Sequence, residues 1–155
     1  MNRSPIRQKG KKPRKGDNLK LRRLYRQANY NCELSVLFPE DLVPTEKGFT
    51  ALVGHDDPIH VHHIMPGRKD LWSNLLSVRL QIHTCWGHDR YPNDLRIVCL
   101  AMKARKGELD IPELESCLKQ GTVFREWVEA QLPKLRLPIG KRMHRELLDY
   151  LEAKP

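Results

Sequence analysis

Six of the seven histidines fall between His55 and His88, and this clustering is the first indication of chemistry in the chain. Imidazole is a good ligand for Zn²⁺ and other divalent transition metals. With an ordinary pKa of about 6.5, it is also the natural general base at neutral pH. The cluster therefore predicts a metal site or a proton-transfer site. A set of structural or solvated histidines is the alternative.

Two of these histidines are adjacent in a segment with the pattern of a strand. Residues 59–64 alternate β-branched residues with histidines, which favours a β-strand that ends before a Met-Pro-Gly turn. Successive strand residues point to opposite faces, so His62 and His63 cannot both bind one ion in the same way. One can be a ligand while the other faces a substrate. His83 and His88 could complete a metal site from a following helix or loop.

The order of these residues resembles that of the HNH (ββα-metal) nucleases. In that family, a strand with Asp-His or His-His is followed by a loop containing Asn and by a helix with further histidines. Residues 62–64 (His-His-Ile) resemble the first element, and residues 74–76 (Asn-Leu-Leu) resemble the second. His83 lies nine residues beyond Asn74, an offset that is common in the family. The resemblance covers about residues 55–105.

The resemblance implies a role for each residue. His62, His83 and His88 would be metal ligands, and His63 would be the general base that activates water. Asn74 would hold the loop and strand so that His63 keeps its orientation. The implied cofactor is a divalent metal ion, Mg²⁺ or else Mn²⁺, Ni²⁺ or Zn²⁺, bound to the scissile phosphate and stabilising the leaving oxygen. The implied reaction is hydrolysis of DNA phosphodiester bonds.

The chain departs from the family pattern in two ways. Many members have two C-x-x-C pairs for a structural zinc, but here Arg79 and Ile82 stand at the positions of the second pair, and Cys32 is alone upstream. A structural zinc is therefore not expected. The step from His83 to His88 is five residues instead of the usual four, or one helical turn. His88 then lies on a helix that begins late, or it is not a ligand.

The excess positive charge is confined to the N-terminal part of the chain. Residues 1–26 contain eleven basic residues and one acidic residue, a net +10, whereas the remainder carries −1. We expect a flexible basic arm over residues 1–17, because its composition cannot bury enough apolar surface. Such an arm gains affinity for nucleic acid by counterion release, and a solubilising tail is the alternative. Phosphate contacts are expected from Lys11, Lys12, Arg14, Lys15, Arg22, Arg23, Arg68 and Arg79.

The remaining pattern predicts the elements that position these residues. Apolar spacing predicts a helix over 19–29 with Asn18 as its cap, and residues 30–58 predict loops with short strands near 32–37 and 50–53. Further helices are expected from Asp94 (capped by Asn93) to about Lys106, after Asp110, from Thr122 to about Leu132, and from Gly140 to Ala153. The expected fold class is α+β, with a ββα-metal centre made of a short antiparallel hairpin and a helix. One domain spans 18–155, and its helical C-terminal part covers about 108–155.

The composition of the chain disfavours a membrane protein and a conventionally secreted protein. No window of the 155 residues approaches the roughly 18 consecutive apolar residues of a membrane-spanning helix. The basic N-terminus lacks the apolar block of a secretory signal. We therefore expect a DNA-binding protein of the cytoplasm that is not bound to membranes. The resemblance implies a bacterial or phage-infected cell, since small HNH proteins often belong to phages or mobile elements. A non-catalytic nucleic-acid-binding protein on the same scaffold is the alternative, and an RNA-binding protein is a third possibility.

Overall fold

The computed structural model describes residues 14–37, 58–80, 82–84 and 90–154. Its α-helices are α1 (Leu19–Ala28), α2 (Pro92–Arg105), α3 (Ile111–Glu115), α4 (Phe124–Glu129) and α5 (Pro138–Ala153). Its strands are β1 (Ile59–His63) and β2 (Leu75–Arg79), and short 3-10 helices cover Glu33–Val36, Trp72–Asn74 and Leu132–Lys134. An antiparallel hairpin combined with several helices agrees with the expected α+β class.

The hairpin presents its histidines on the outer strand. β1 pairs with β2 in antiparallel register, with His62 opposite Leu76 and His63 opposite Leu75. Leu75 and Leu76 are fully buried, whereas the residues of β1 are half-buried or exposed. A two-stranded hairpin is only marginally stable alone. The buried strand β2 therefore anchors β1 to the helical core and leaves the β1 histidines accessible.

The core is built around α2, which is buried on nearly all sides. Ten of its fourteen residues are buried, including Leu95, Val98 and Met102. The long C-terminal helix α5 packs along it through Met143, Leu147 and other residues of one apolar stripe. A stripe with a four-residue spacing is what an amphipathic helix needs to cover another helix. These helices give the hairpin a rigid support.

Helix α1 is tied to the core through a polar cluster. Tyr25 is fully buried, its ring lies 4.7 Å from the ring of Trp72, and its hydroxyl donates a 2.7 Å hydrogen bond to Glu33. The buried ammonium of Lys103 on α2 donates to the same hydroxyl at 2.9 Å. These contacts place the start of α1 beside the hairpin, where Arg22 reaches the loop between the strands.

The ends of the helices follow the expected capping chemistry in part. Asn18 caps α1 by accepting from the amide of Leu21 at 3.1 Å, and Asp110 caps α3 by accepting from the amide of Glu113 at 3.0 Å. The expected start of α2 at Asp94 is wrong. The helix begins at Pro92, because proline is preorganised for a first helical position.

The bounds of two further helices also differ from expectation. α5 begins at Pro138 instead of Gly140, again with proline in its first turn. The helix expected from Thr122 to Leu132 is shorter, since α4 runs from Phe124 to Glu129 and a 3-10 turn follows. Pro133 lies in that turn and has no amide hydrogen to continue an α-helix.

The strand expected near residues 32–37 is also wrong, because a 3-10 helix occupies Glu33–Val36. The Glu33 carboxylate accepts from the backbone amide of Ser77 at 2.7 Å, and Leu34 is fully buried. A tight turn directs both side chains inward, which the alternation of a strand would not do. The strand expected near 50–53 lies outside the described residues.

No helix within the described ranges is long and apolar enough to cross a membrane.

Candidate active site

A cleft of about 350 Å³ opens beside the hairpin. Residues 61–68, from the end of β1 and the following turn, form one wall, and His83, Pro92 and Arg96 form the other. The start of α2 therefore faces the histidine-bearing end of β1. The described histidines to which the family resemblance assigns roles, His62, His63 and His83, all lie in this cleft.

His62 and His83 face each other across the cleft. Their Nδ1 atoms lie 2.8 Å apart, and their ring centroids are 4.9 Å apart. Such a contact is either a hydrogen bond between two neutral rings or a pair of lone pairs directed toward one cation. Two imidazoles bound at about 2.1 Å to one divalent ion would have nitrogens about 3.0 Å apart in octahedral and about 3.4 Å apart in tetrahedral coordination. The observed 2.8 Å is the length of a direct hydrogen bond, so the two rings would have to move apart by a few tenths of an ångström to share an ion. The ring of His60 stacks on His83 at 5.9 Å.

The third expected ligand, His88, lies outside the described residues. Within the part of the chain that the structure describes, no group of three or more His, Cys, Asp or Glu side chains is arranged around a common point. Of the three expected ligands, the structure thus describes His62 and His83.

His63 makes a different contact from its neighbour. Its Nε2 lies 2.7 Å from Oδ1 of Asp70, and its side chain is 19% exposed. The hydrogen bonds within the described ranges give no partner to its Nδ1. Since the ring also lines the cleft, one nitrogen of His63 is held by a carboxylate and the other is available to a bound molecule.

Asp70 is a buried carboxylate at the base of the site, with only 3% of its surface exposed. Arg22 donates to both of its oxygens, from Nε at 3.1 Å and from Nη2 at 2.8 Å. The backbone amide of Asn18 donates to Oδ2 at 2.6 Å. Burial by itself would raise the pKa of Asp70. The hydrogen bonds from Arg22, Asn18 and His63 outweigh it and hold that pKa below its usual value.

Asn74 braces the loop between the strands. Its side chain is fully buried, accepts from the amide of Met65 at 2.6 Å and donates to the carbonyl of Lys69 at 2.8 Å. Its backbone carbonyl accepts from the amide of Ile64 at 2.9 Å. Asn74 therefore holds the backbone on both sides of the turn, while the direct contact with His63 comes from Asp70.

Sequence reasoning missed two residues of this site: Arg96, which lines the cleft, and Asp70, which is buried and contacts His63. Arg96 donates from Nε to the carbonyl of Ile64 at 3.0 Å, and burial lowers its pKa. One signal was available for Asp70, because it is the only acidic residue between Pro58 and His88. Arg96 had no comparable signal, since its role depends on which face of α2 meets the turn.

The expected phosphate-binding residues are distributed unevenly. Arg68 borders the cleft in a left-handed conformation (φ 54°), directly after Gly67 (φ 87°). Arg22 is engaged with Asp70 and also lines a neighbouring groove with Arg23 and Arg26. Arg14 and Lys15 are exposed on the turn before α1, and Arg79 lies at the far end of the hairpin, opposite Ile59. Lys11 and Lys12 lie outside the described residues.

Comparisons with protein-family models, with curated proteins and with solved structures found no match to this chain.

Proposed function

We propose that the protein is a metal-dependent DNA endonuclease of the HNH type. The observation that carries the proposal is that three imidazoles meet in one cleft in two different arrangements. His62 and His83 face each other with nitrogens 2.8 Å apart, while His63 is held by a buried carboxylate. A metal-dependent hydrolase needs this division of labour, because metal ligands and a general base cannot be the same groups.

His62 and His83 are the residues that would hold the divalent ion, with His88 as the further ligand from the family resemblance. When bound, the ion supplies positive charge for the scissile phosphate and for the leaving oxygen. Neutral imidazoles accept Mn²⁺, Ni²⁺ or Zn²⁺ more readily than Mg²⁺, which prefers oxygen ligands. The two described ligands thus favour a transition metal.

His63 is the proposed general base. Its Nδ1 takes a proton from a water molecule, and the water oxygen forms a bond to phosphorus while the bond to the leaving 3′-oxygen breaks. The leaving oxygen takes a proton from solvent. A base of this kind contributes about 10²- to 10⁴-fold to the rate. Arg96 and Arg68 line the same cleft and are suited to contact the nonbridging phosphate oxygens.

The charge around the cleft supports a nucleic acid as the substrate. A groove with Arg23 and Arg26 adjoins the cleft and shares Val61 with it. A concavity lined by Arg90, Lys134 and Arg136 also adjoins the cleft and shares Pro92 with it. A polyanionic strand bound in the cleft would have the cations of both concavities nearby, and the basic arm would add affinity that is independent of sequence.

The test is cleavage of supercoiled plasmid by the wild type and by His63→Ala, with Mg²⁺, Mn²⁺, Ni²⁺, Zn²⁺ or EDTA. We expect metal-dependent cutting that falls by about 10²-fold or more in the variant. His60→Ala is the comparison variant, because it removes a histidine of the same strand that contacts His83 and not His63, so a loss confined to His63→Ala identifies the base.

Each outcome has a distinct meaning. Equal cutting by the wild type and His63→Ala would reject His63 as the base. Plasmid binding without cutting under any metal would favour the non-catalytic nucleic-acid-binding protein.

A further inference from the structure

The carboxylate of Asp70 is surrounded by donors whose direction is fixed. A backbone amide and a guanidinium can only donate hydrogen bonds. Oδ2 accepts from the amide of Asn18 at 2.6 Å and from Arg22 Nη2 at 2.8 Å, and Oδ1 accepts from Arg22 Nε at 3.1 Å. The remaining contact of Oδ1 is Nε2 of His63 at 2.7 Å.

This arrangement determines where the imidazole proton lies. An ionised carboxylate only accepts, so Nε2 of His63 must be the donor. A neutral imidazole has one N–H, and its lone pair is then on Nδ1. No described residue hydrogen-bonds to that nitrogen.

Arg22 fixes the orientation of the carboxylate itself. Its Nε and Nη2 grip the two oxygens of Asp70 as a fork, which resists rotation of the carboxyl group. Arg22 comes from α1, 48 residues earlier in the chain, and α1 is held to the core by Tyr25. The orientation of the imidazole therefore depends on a helix outside the hairpin.

We propose that Asp70 is a positioning residue that holds His63 in the Nε2–H tautomer, and that Arg22 locks Asp70 in the orientation this requires. The tautomer follows from the contacts alone, whereas its consequence for DNA cleavage rests on the proposed function. The tautomer leaves the basic Nδ1 for the attacking water.

The substitution Asp70→Asn turns this inference into a test. The Asn oxygen would face the two fixed donors at Oδ2, Asn18 N–H and Arg22 Nη2, in preference to the one at Oδ1, the longer contact from Arg22 Nε. The amide NH₂ would then replace Oδ1 beside His63. An amide donor at that place favours the opposite tautomer, with the proton on Nδ1. An Asp→Asn change of this type beside a catalytic histidine lowers kcat by about 10⁴-fold in serine proteases. We expect a loss of about 10²- to 10⁴-fold here, no larger than the loss in His63→Ala, with the Kd for DNA unchanged.

The primary measurement is the long-range ¹H–¹⁵N NMR spectrum of the histidine rings of the full chain in EDTA, at a pH where imidazoles are neutral. The His63 signals are assigned from their loss in His63→Ala. We expect the Nε2–H tautomer in the wild type and the Nδ1–H tautomer in Asp70→Asn. Asp149→Asn is the control, because Asp149 is exposed on α5.

The NMR measurement tests the positioning role of Asp70, and the cleavage assay tests the proposed nuclease function, so the two can fail independently. An Nδ1–H majority in the wild type overturns the proposal, whatever Asp70→Asn does. An unchanged tautomer in folded Asp70→Asn overturns it as well, as does a normal kcat once the tautomer has switched. If the tautomers behave as expected but no protein cuts DNA, the positioning role stands and the nuclease proposal fails. Asp70→Glu should keep the Nε2–H tautomer and recover part of kcat.

Discussion

Two buried aspartates in this protein hold very different partners. Asp94 is 1% exposed and accepts from the backbone amides of Arg136 at 3.1 Å and Leu137 at 2.9 Å, just before α5. Asp70 is almost as buried, but it accepts from one backbone amide and from the side chains of Arg22 and His63.

The difference separates a structural carboxylate from one that can affect chemistry. Backbone amides do not titrate, and an anion at a helix N-terminus stabilises that helix. Asp94 therefore fixes where α5 begins and has no partner that could act on a substrate. Asp70 instead holds an imidazole that lines a cleft. Burial of the acid is the same in both cases, so the type of partner identifies the candidate functional residue.

The largest expected effect is on stability, from Asp94→Ala. The change leaves the buried amide of Leu137 and the part-buried amide of Arg136 without their acceptor, and it removes an anion from the start of α5. We expect a loss of about 2–4 kcal/mol in the free energy of unfolding, measured by denaturant titration. The His63 tautomer should not change in the fraction that remains folded.

A substitution at Gly140 tests whether the contact between Asp94 and the start of α5 is the source of this stability. Gly140 packs directly against the Asp94 carboxylate, and an added Cβ would collide with it. Gly140→Ala should cost about 1–3 kcal/mol through this overpacking. A fully stable Gly140→Ala would contradict the tight seating of Asp94 on α5.

The next effect in size is expected for Arg22→Gln, which weakens the other carboxylate cluster. The loss of the guanidinium fork should cost about 1–2 kcal/mol at neutral pH. Burial raises the pKa of Asp70 and Arg22 lowers it, so the pKa of Asp70 rises in the variant. A carboxylate with a lowered folded-state pKa stabilises above its unfolded pKa, and this stability is lost as the pH falls.

Thermal melts between about pH 3 and 7 measure this effect. The difference in melting temperature between the wild type and Arg22→Gln should be largest at neutral pH. It should become smaller in acid, where Asp70 is protonated in both proteins. A gap that stays constant over the whole range would show that the ion pair with Asp70 is not the source of the loss.

The smallest effect is expected for the double variant Arg23→Gln/Arg26→Gln, on the helix that carries Arg22 but in contact with neither carboxylate. Both residues are exposed on α1. Their loss should weaken DNA binding and lower the salt slope of log K by about 1–2, with kcat at saturating DNA unchanged. Lys141→Gln/Arg145→Gln on α5 is the matched control for charge. An equal loss of DNA affinity in the control would show that the effect comes from the net charge of the protein and not from the positions of Arg23 and Arg26.

Much of the architecture could be predicted from local pattern. The alternation over residues 59–64 predicted β1, and the apolar spacing predicted α1 and the C-terminal helices. The strand expected near 32–37 failed because long-range bonds decide that segment, with Glu33 drawn onto the amide of Ser77. Such a contact has no periodicity in the sequence.

The candidate site was predicted unevenly for the same reason. His62, His63 and His83 stood out by type and spacing, and the structure brings all three to one cleft. The contact between His63 and Asp70 depends on how an eleven-residue loop, residues 64–74, folds back between the strands. The fork from Arg22 depends on tertiary packing of α1. Neither can be inferred from neighbours in the sequence.

Two hydrogen bonds join Asp70 to the chain just before α1, and they limit how far the N-terminal basic arm can extend from the cleft. The amide of Asp70 donates to the carbonyl of Gly16 at 3.0 Å, while the amide of Asn18 donates back to the Asp70 carboxylate. The chain is therefore fixed at Gly16 and Asn18, beside the Asp70–His63 pair. A fully extended segment of thirteen residues, the number that precede Arg14, spans at most about 45 Å, or about thirteen phosphates along one DNA strand. In the proposed nuclease, this length would limit the phosphates that the basic arm can contact to those near the bond to be cut.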